Sequence, residues 1–177
     1  RLVAMKGLDL IKHILDELLQ EDIQFVLLGT GDKEYEDMFN YFQGKYPDKL
    51  AARIYFNEKE AHLIYAASDI FIMPSMVEPC GISQLISLRY GTIPIVREVG
   101  GLKDTIIPYN KYTEEGNGFS FANFNAHELL FVIRDALNLY KDKEKWKDIM
   151  IQAMKSKNDW KESSKEYIKL YNDVINN

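Results

Sequence analysis

The sequence predicts an α/β domain, a doubly wound parallel sheet of the Rossmann-like kind with helices on both faces. Three observations predict it. Short apolar runs alternate with amphipathic segments, most of those runs are apolar at consecutive positions, and glycine and polar residues gather just after them. Strands separated by helices cannot pair as hairpins, so they pair in parallel, and strands apolar on both sides suit a sheet covered twice.

From Leu8, the residues Leu8, Ile11, Ile14, Leu15, Leu18 and Leu19 recur at helical spacing, and Ile23 to Leu28 follows as a buried strand. A helix bearing Tyr35, Met38, Phe39 and Phe42 leads to a strand near Arg53 to Phe56, and a helix with Ala61, Ile64 and Tyr65 leads to the strand Ile70 to Met73. A helix over Ser83 to Tyr90 precedes the strand Ile93 to Val96. After the turn signal Gly116-Asn117-Gly118, a short strand at Phe119 to Phe121 feeds three terminal helices. In the last two, Trp146 to Met154 and Trp160 to Ile175, the pattern is amphipathic, and Trp160, Tyr167, Ile168, Tyr171, Val174 and Ile175 form an expected packing stripe. Tyr65, Tyr90, Phe119 and Phe121 are expected to fill core. The chain opens at Arg1-Leu2-Val3, where a doubly wound domain hands over from a central strand to its first helix. A hydrogen-bonding gap in the sheet is therefore expected, which another chain could fill.

A length of 177 residues with 46% hydrophobic residues suits one domain with a substantial core. Lys and Arg number 22 against 27 Asp and Glu, a net charge of −5. That sign is wrong for wrapping a polyanion, so nucleic acid is not an expected partner. Cys80 is the single cysteine, which excludes an internal disulfide and suits a reducing compartment. Histidine, cysteine and carboxylates lack metal-ligand spacing, and no apolar run approaches the roughly 20 residues that cross a membrane. No metal and no membrane are expected, and the protein reads as soluble and intracellular.

Ligands of open parallel sheets sit beyond the carboxyl ends of the strands. There the chain places Gly29-Thr30-Gly31-Asp32, then Asn57-Glu58, then Pro74-Ser75 with Glu78-Pro79-Cys80-Gly81, then Arg97-Glu98-Val99-Gly100-Gly101. Gly81-Ile82-Ser83-Gln84 enters a helix whose first-turn N–H groups lack partners and suit phosphate oxygens. On pattern alone Ser83 is a helix cap before it is a phosphate ligand, and Arg1 and Lys6 are solvated cations. Cys80 reads as a small packed residue or a thiol adjacent to substrate, since no histidine lies near it to make it a nucleophile. His13, His62 and His127 fall on helices as packing or surface residues.

The motifs go further. Arg1-Leu2-x-x-x-Lys6-Gly7-Leu8-Asp9-Leu10 resembles the R-L-x-x-x-K-G-L-D-L motif of bacterial glycogen and plant starch synthases. Pro74 to Leu85 resembles their P-S-x-x-E-P-C-G-L-T-Q-L, Arg89 to Arg97 their R-Y-G-T-x-P-I-V-R, and Gly100 to Thr105 their G-G-L-x-D-T. The resemblance covers essentially the whole chain, including Gly116 to Phe119 and Trp160 to Tyr171.

The resemblance implies the second of two domains in a GT-B glycosyltransferase, residues 1–177 binding the nucleotide-sugar donor, with an N-terminal acceptor and catalytic domain absent from this chain. The implied activity is retaining transfer of glucose from ADP-glucose to the non-reducing end of an α-1,4-glucan, in a bacterial cytoplasm rather than a plastid, with the isolated domain inactive. Alternatives are a non-catalytic nucleotide-sugar binding module and a related transferase using UDP-glucose. Implied catalytic residues are Arg1 and Lys6, on the diphosphate of ADP-glucose or ADP, and Glu78, on glucose hydroxyls. Implied donor contacts are Gly29, Gly31, Phe56 as the base-stacking aromatic with Tyr55 behind it, Cys80, Gly81, Ile82, Ser83, Gly100 and Gly101. No cofactor or metal is implied. The sequence departs from the family with Ser83 in place of threonine, Glu98-Val99 where a basic or polar residue precedes T-G-G, and Phe56 where tyrosine is usual.

Overall fold

The computed structural model describes residues 1–176. A single 3-10 turn at Ala4–Lys6 leads through Gly7 into α1 (Leu8–Leu18), which buries Leu8, Ile11, Ile14, Leu15 and Leu18 along one face. The strand β1 (Phe25–Leu28) follows, then α2 (Lys33–Lys45), β2 (Leu50–Arg53), α3 (Glu58–Ala67), β3 (Ile70–Met73), α4 (Ser83–Tyr90) and β4 (Ile93–Arg97). A short helix α5 (Gly100–Thr105) precedes β5 (Phe119–Phe121), and α6 (Ala126–Tyr140), α7 (Lys143–Met154) and α8 (Trp160–Ile175) complete the chain.

The element boundaries have local causes. Asn57, Asn125, Asp142 and Asp159 each accept a first-turn N–H with a side-chain oxygen, capping α3, α6, α7 and α8. Gly91, at φ 74°, takes the left-handed conformation that stops α4, and Thr92 N–H then closes on Ser87 O at 3.0 Å.

All strand pairs are parallel, as the sequence predicts, but they form two sheets, β1-β2 and β3-β4-β5. The two sheets are not hydrogen-bonded to each other; Val26, in the middle of β1, is 46% exposed, whereas Ile93, Ile95 and Val96 of β4, paired on both sides, are fully buried. The first residues span the carboxyl ends of the two sheets: Leu2 pairs with Gly31 after β1, and Met5 O accepts the Met76 N–H after β3 at 2.8 Å.

The helices α1, α2 and α6 pack as one layer, and α3, α4 and α7 as another. Arg134 of α6 binds Glu17 at 3.0 Å and Glu21 at 2.7 Å, fastening α6 to the end of α1. Core residues from both layers, including Phe39, Leu88, Leu129 and Ile149, join strand residues such as Ile95 in one buried cluster.

Several expectations are corrected. The second strand is Leu50–Arg53, not Arg53 to Phe56, because the buried positions are Leu50 and Ala52 while Phe56 is 87% exposed. Gly100 and Gly101 open a helix instead of lying in a loop. Phe119 and Phe121 do fill core, but Tyr90 is exposed and Tyr65 only half-buried, in an aromatic group where the two rings stack at 6.3 Å. The stripe on α8 does not pack against the rest of the chain: Trp160, Tyr167, Ile168, Tyr171, Val174 and Ile175 are all exposed. No described helix is long and apolar enough to cross a membrane.

Candidate functional site

The residues singled out from the sequence converge at the carboxyl ends of the strands, held by glycines that let backbones touch. Gly7 is left-handed at φ 74°, and a Cβ there would stand 2.0 Å from Pro74 O, so the start of α1 is pressed against the loop after β3. Gly100 approaches Glu78 O and Gly101 approaches Cys80 O equally closely, with a Cβ at 2.2 and 2.1 Å. Gly101 N–H donates to Pro79 O at 3.0 Å. The loop after β3 and the start of α5, which follows β4, are thereby joined backbone to backbone.

On this platform Lys6 Nζ forms an ion pair with Glu78 Oε2, which also accepts from Ser75 Oγ at 3.3 Å. The Glu78 side chain keeps only 12% of its exposure and that of Lys6 30%, so the pair is sheltered enough for charge to act with less screening than at open surface. Arg1 is exposed and forms no ion pair among the described residues. Arg97 fastens the same loop, its Nε donating to Ser75 O at 3.0 Å and its Nη2 to Met76 O.

The loop that carries Glu78 leads into the N-terminus of α4. Its N-cap is Ile82, which is 70% exposed and offers no side-chain cap, so first-turn N–H groups remain available to an anion. Ser83 is thus the first helical residue and not the cap. Burial pushes the Tyr65 phenol up, and the nearby Ser83 hydroxyl draws it part of the way back down. Cys80 is exposed, which removes the packed reading and leaves the thiol on the site's surface.

The remaining expectations separate. Gly31 N–H already donates to Glu36 Oε1 at 2.9 Å, while Gly29 packs beside Leu2. Tyr55 spends its hydroxyl on Glu60 at 2.8 Å, leaving Phe56 as the free aromatic face at the end of β2. Glu98 turns toward β5, accepting from Ser120 Oγ at 2.8 Å. The three histidines lie on exposed helix positions; His13 and His127 meet edge to face at 5.3 Å. Two clefts, of about 490 and 290 Å³, are lined by Ser120, Phe131 and neighbours and by Asp9, His13 and neighbours, and neither includes a predicted site residue.

The sequence places Arg97, Gln84 and Thr105 within the site's stretches without giving them a role, and the structure shows that all three hold these segments in place.

Comparison with known proteins agrees with the geometry. Over 174 residues the chain is 56% identical to a glycogen synthase of Clostridioides difficile, covering 98% of this chain and 36% of that protein. A glycogen synthase of Clostridium botulinum (strain Eklund 17B) is 58% identical over the same share of both. The structure superposes on the catalytic domain of starch synthase IV from Arabidopsis thaliana, solved with ADP and acarbose, with a TM-score of 0.88 and 35% identity over 100% of this chain and 37% of that one. The chain therefore spans little more than a third of the length of the relatives it matches. The profile of the glycosyl transferases group 1 matches residues 1–153, and the chain belongs to that family.

Proposed function

We propose that this chain forms the donor-binding part of a retaining glucosyltransferase that moves glucose from ADP-glucose to the non-reducing end of an α-1,4-glucan. The observation that carries the reading is the Lys6–Glu78 pair on the loop that leads into the open N-terminus of α4, on motifs shared with glycogen and starch synthases. The starch synthase that this chain resembles at 35% identity was solved with ADP, which supports an adenine nucleotide as ligand.

In this reading Arg1, Lys6 and the α4 N-terminus neutralise the diphosphate while the bond between C1 of glucose and its phosphate oxygen breaks, and no metal is required for that task. Glu78 accepts hydrogen bonds from glucose hydroxyls, and Phe56 stacks on the base. ADP departs, its terminal phosphate taking up the acceptor hydroxyl's proton, and the acceptor's oxygen takes its place at C1 with the same configuration. The glucan and the remaining catalytic groups belong to an N-terminal domain facing this site, in a bacterial cytoplasm as the bacterial relatives suggest. The chain alone binds the donor and turns nothing over.

The test is glucose incorporation into glycogen by the full-length protein, with ADP-glucose and UDP-glucose offered separately. Preference for ADP-glucose, with no incorporation by residues 1–177 alone, supports the reading. Preference for UDP-glucose assigns a different donor, and incorporation by the isolated chain removes the need for a second domain.

A further inference from the structure

Gln84 is completely buried, yet it is polar and its side chain reaches out of α4 into the joint between the two site loops. Its Nε2 donates to Cys80 O at 3.1 Å and to Thr105 Oγ1 at 3.3 Å. The Thr105 hydroxyl passes the link on, donating to Gly101 O at 2.6 Å. Because Cys80 O can only accept, the amide cannot be turned over without setting two acceptors against each other. The orientation leaves Oε1 buried with no partner, against Gly81, where a Cβ would come within 2.4 Å of it.

An unpaired buried acceptor lowers stability, so a residue present only to fill this space would be better replaced by an apolar one of equal size. What Nε2 achieves is directional. In a trans peptide the C=O and the following N–H point opposite ways. Holding Cys80 O inward turns the Gly81 N–H outward, where it bonds no other residue among those described.

We propose that Gln84 is a positioning residue of the donor site: with Thr105, it clamps the Cys80 carbonyl so that the Gly81 N–H is presented to the sugar of the donor. The proposal rests on the donor-binding reading above. It concerns the sugar's side of the site, since the diphosphate is met by Arg1, Lys6 and the first turn of α4.

The experiment compares binding of ADP and of ADP-glucose to the full-length protein and its Gln84→Met variant, with thermal midpoints measured alongside. Gln84→Met keeps the volume and removes both the donor and the orphan acceptor. Expected are a midpoint equal to or above the parent's, ADP affinity within twofold, and ADP-glucose affinity about tenfold weaker. Thr105→Val moves in the same direction, and Thr105→Ser, which keeps the hydroxyl, restores the parent's preference. Equal weakening of both ligands, or of neither, overturns the positioning role. A parent protein that binds neither ligand overturns the donor-site reading instead.

Discussion

Lys6 and Glu78, 72 residues apart in sequence, are ion-paired on the shelf where the start of α1 meets the loop after β3. A donor diphosphate competes with Glu78 for the same ammonium group. Glu78→Gln keeps the shape and releases the cation, so ADP affinity is expected to rise about threefold while turnover of the full-length protein falls. Lys6→Ala is expected to weaken ADP binding and to lower turnover by on the order of 10² to 10³-fold, the effect of losing one preorganised charge on the leaving group. Titration calorimetry and steady-state rates check both, and an unchanged turnover number in Lys6→Ala removes Lys6 from the mechanism.

The glycines of the shelf differ sharply from one that lies elsewhere. Gly7→Ala places a Cβ 2.0 Å from Pro74 O on a left-handed residue, and Gly101→Ala places one 2.1 Å from Cys80 O. Each is expected to destabilise by about 2 kcal/mol or more, because backbone and not a mobile side chain must give way. Gly44→Ala, in the last turn of α2 with nothing within 4 Å, is expected to stabilise by about 0.5 kcal/mol or less, since the full helix-interior gain does not apply there. Denaturant midpoints of the three variants check the ordering.

Phe56, at 87% exposure, supports nothing in the core. Phe56→Ala is therefore expected to leave stability within about 0.5 kcal/mol. If its ring carries the adenine, the same change weakens ADP binding by about 1–3 kcal/mol, the range for stacking on one base. Loss of stability without loss of affinity contradicts this assignment.

Tyr35 supplies a pH dependence. Burial first, and then its 2.9 Å hydrogen bond to Asp9, push its phenol up to about 12. A raised folded-state value means that the folded chain holds the proton more tightly than the unfolded one, so this contribution is intact below about pH 10 and is lost as pH climbs toward 12. Stability is expected to decline across that window, and Tyr35→Phe to flatten the decline. Urea unfolding at stepped alkaline pH measures it.

The legible parts of the fold were those where one signal dominated. Ile70–Met73 is an uninterrupted apolar run, and Ser83–Tyr90 lies between a loop of Pro and Gly and the stop at Gly91; both have the predicted bounds. The second strand slipped because Ile54, Tyr55 and Phe56 look like a buried run, although Tyr55 and Phe56 stand at the site's edge and are exposed. The stripe on α8 has a packing pattern but lies exposed among the described residues, which periodicity cannot reveal. In the site, the motifs pointed to Lys6 and Glu78 separately, but their pairing depends on Gly7 admitting the Pro74 carbonyl, a contact between distant segments. Gln84 was passed over because a glutamine in a first helical turn ordinarily faces water, and only the closeness of α4 to α5 turns it inward.

The central claim is that residues 1–177 carry an adenine-nucleotide diphosphate site built on Arg1 and Lys6. Isothermal titration of the purified chain with ADP, with UDP as control and the Arg1→Ala/Lys6→Ala variant alongside, tests it most directly. The account predicts binding of ADP in preference to UDP, lost in the double variant. Binding that survives in the folded double variant, or that favours UDP, contradicts it.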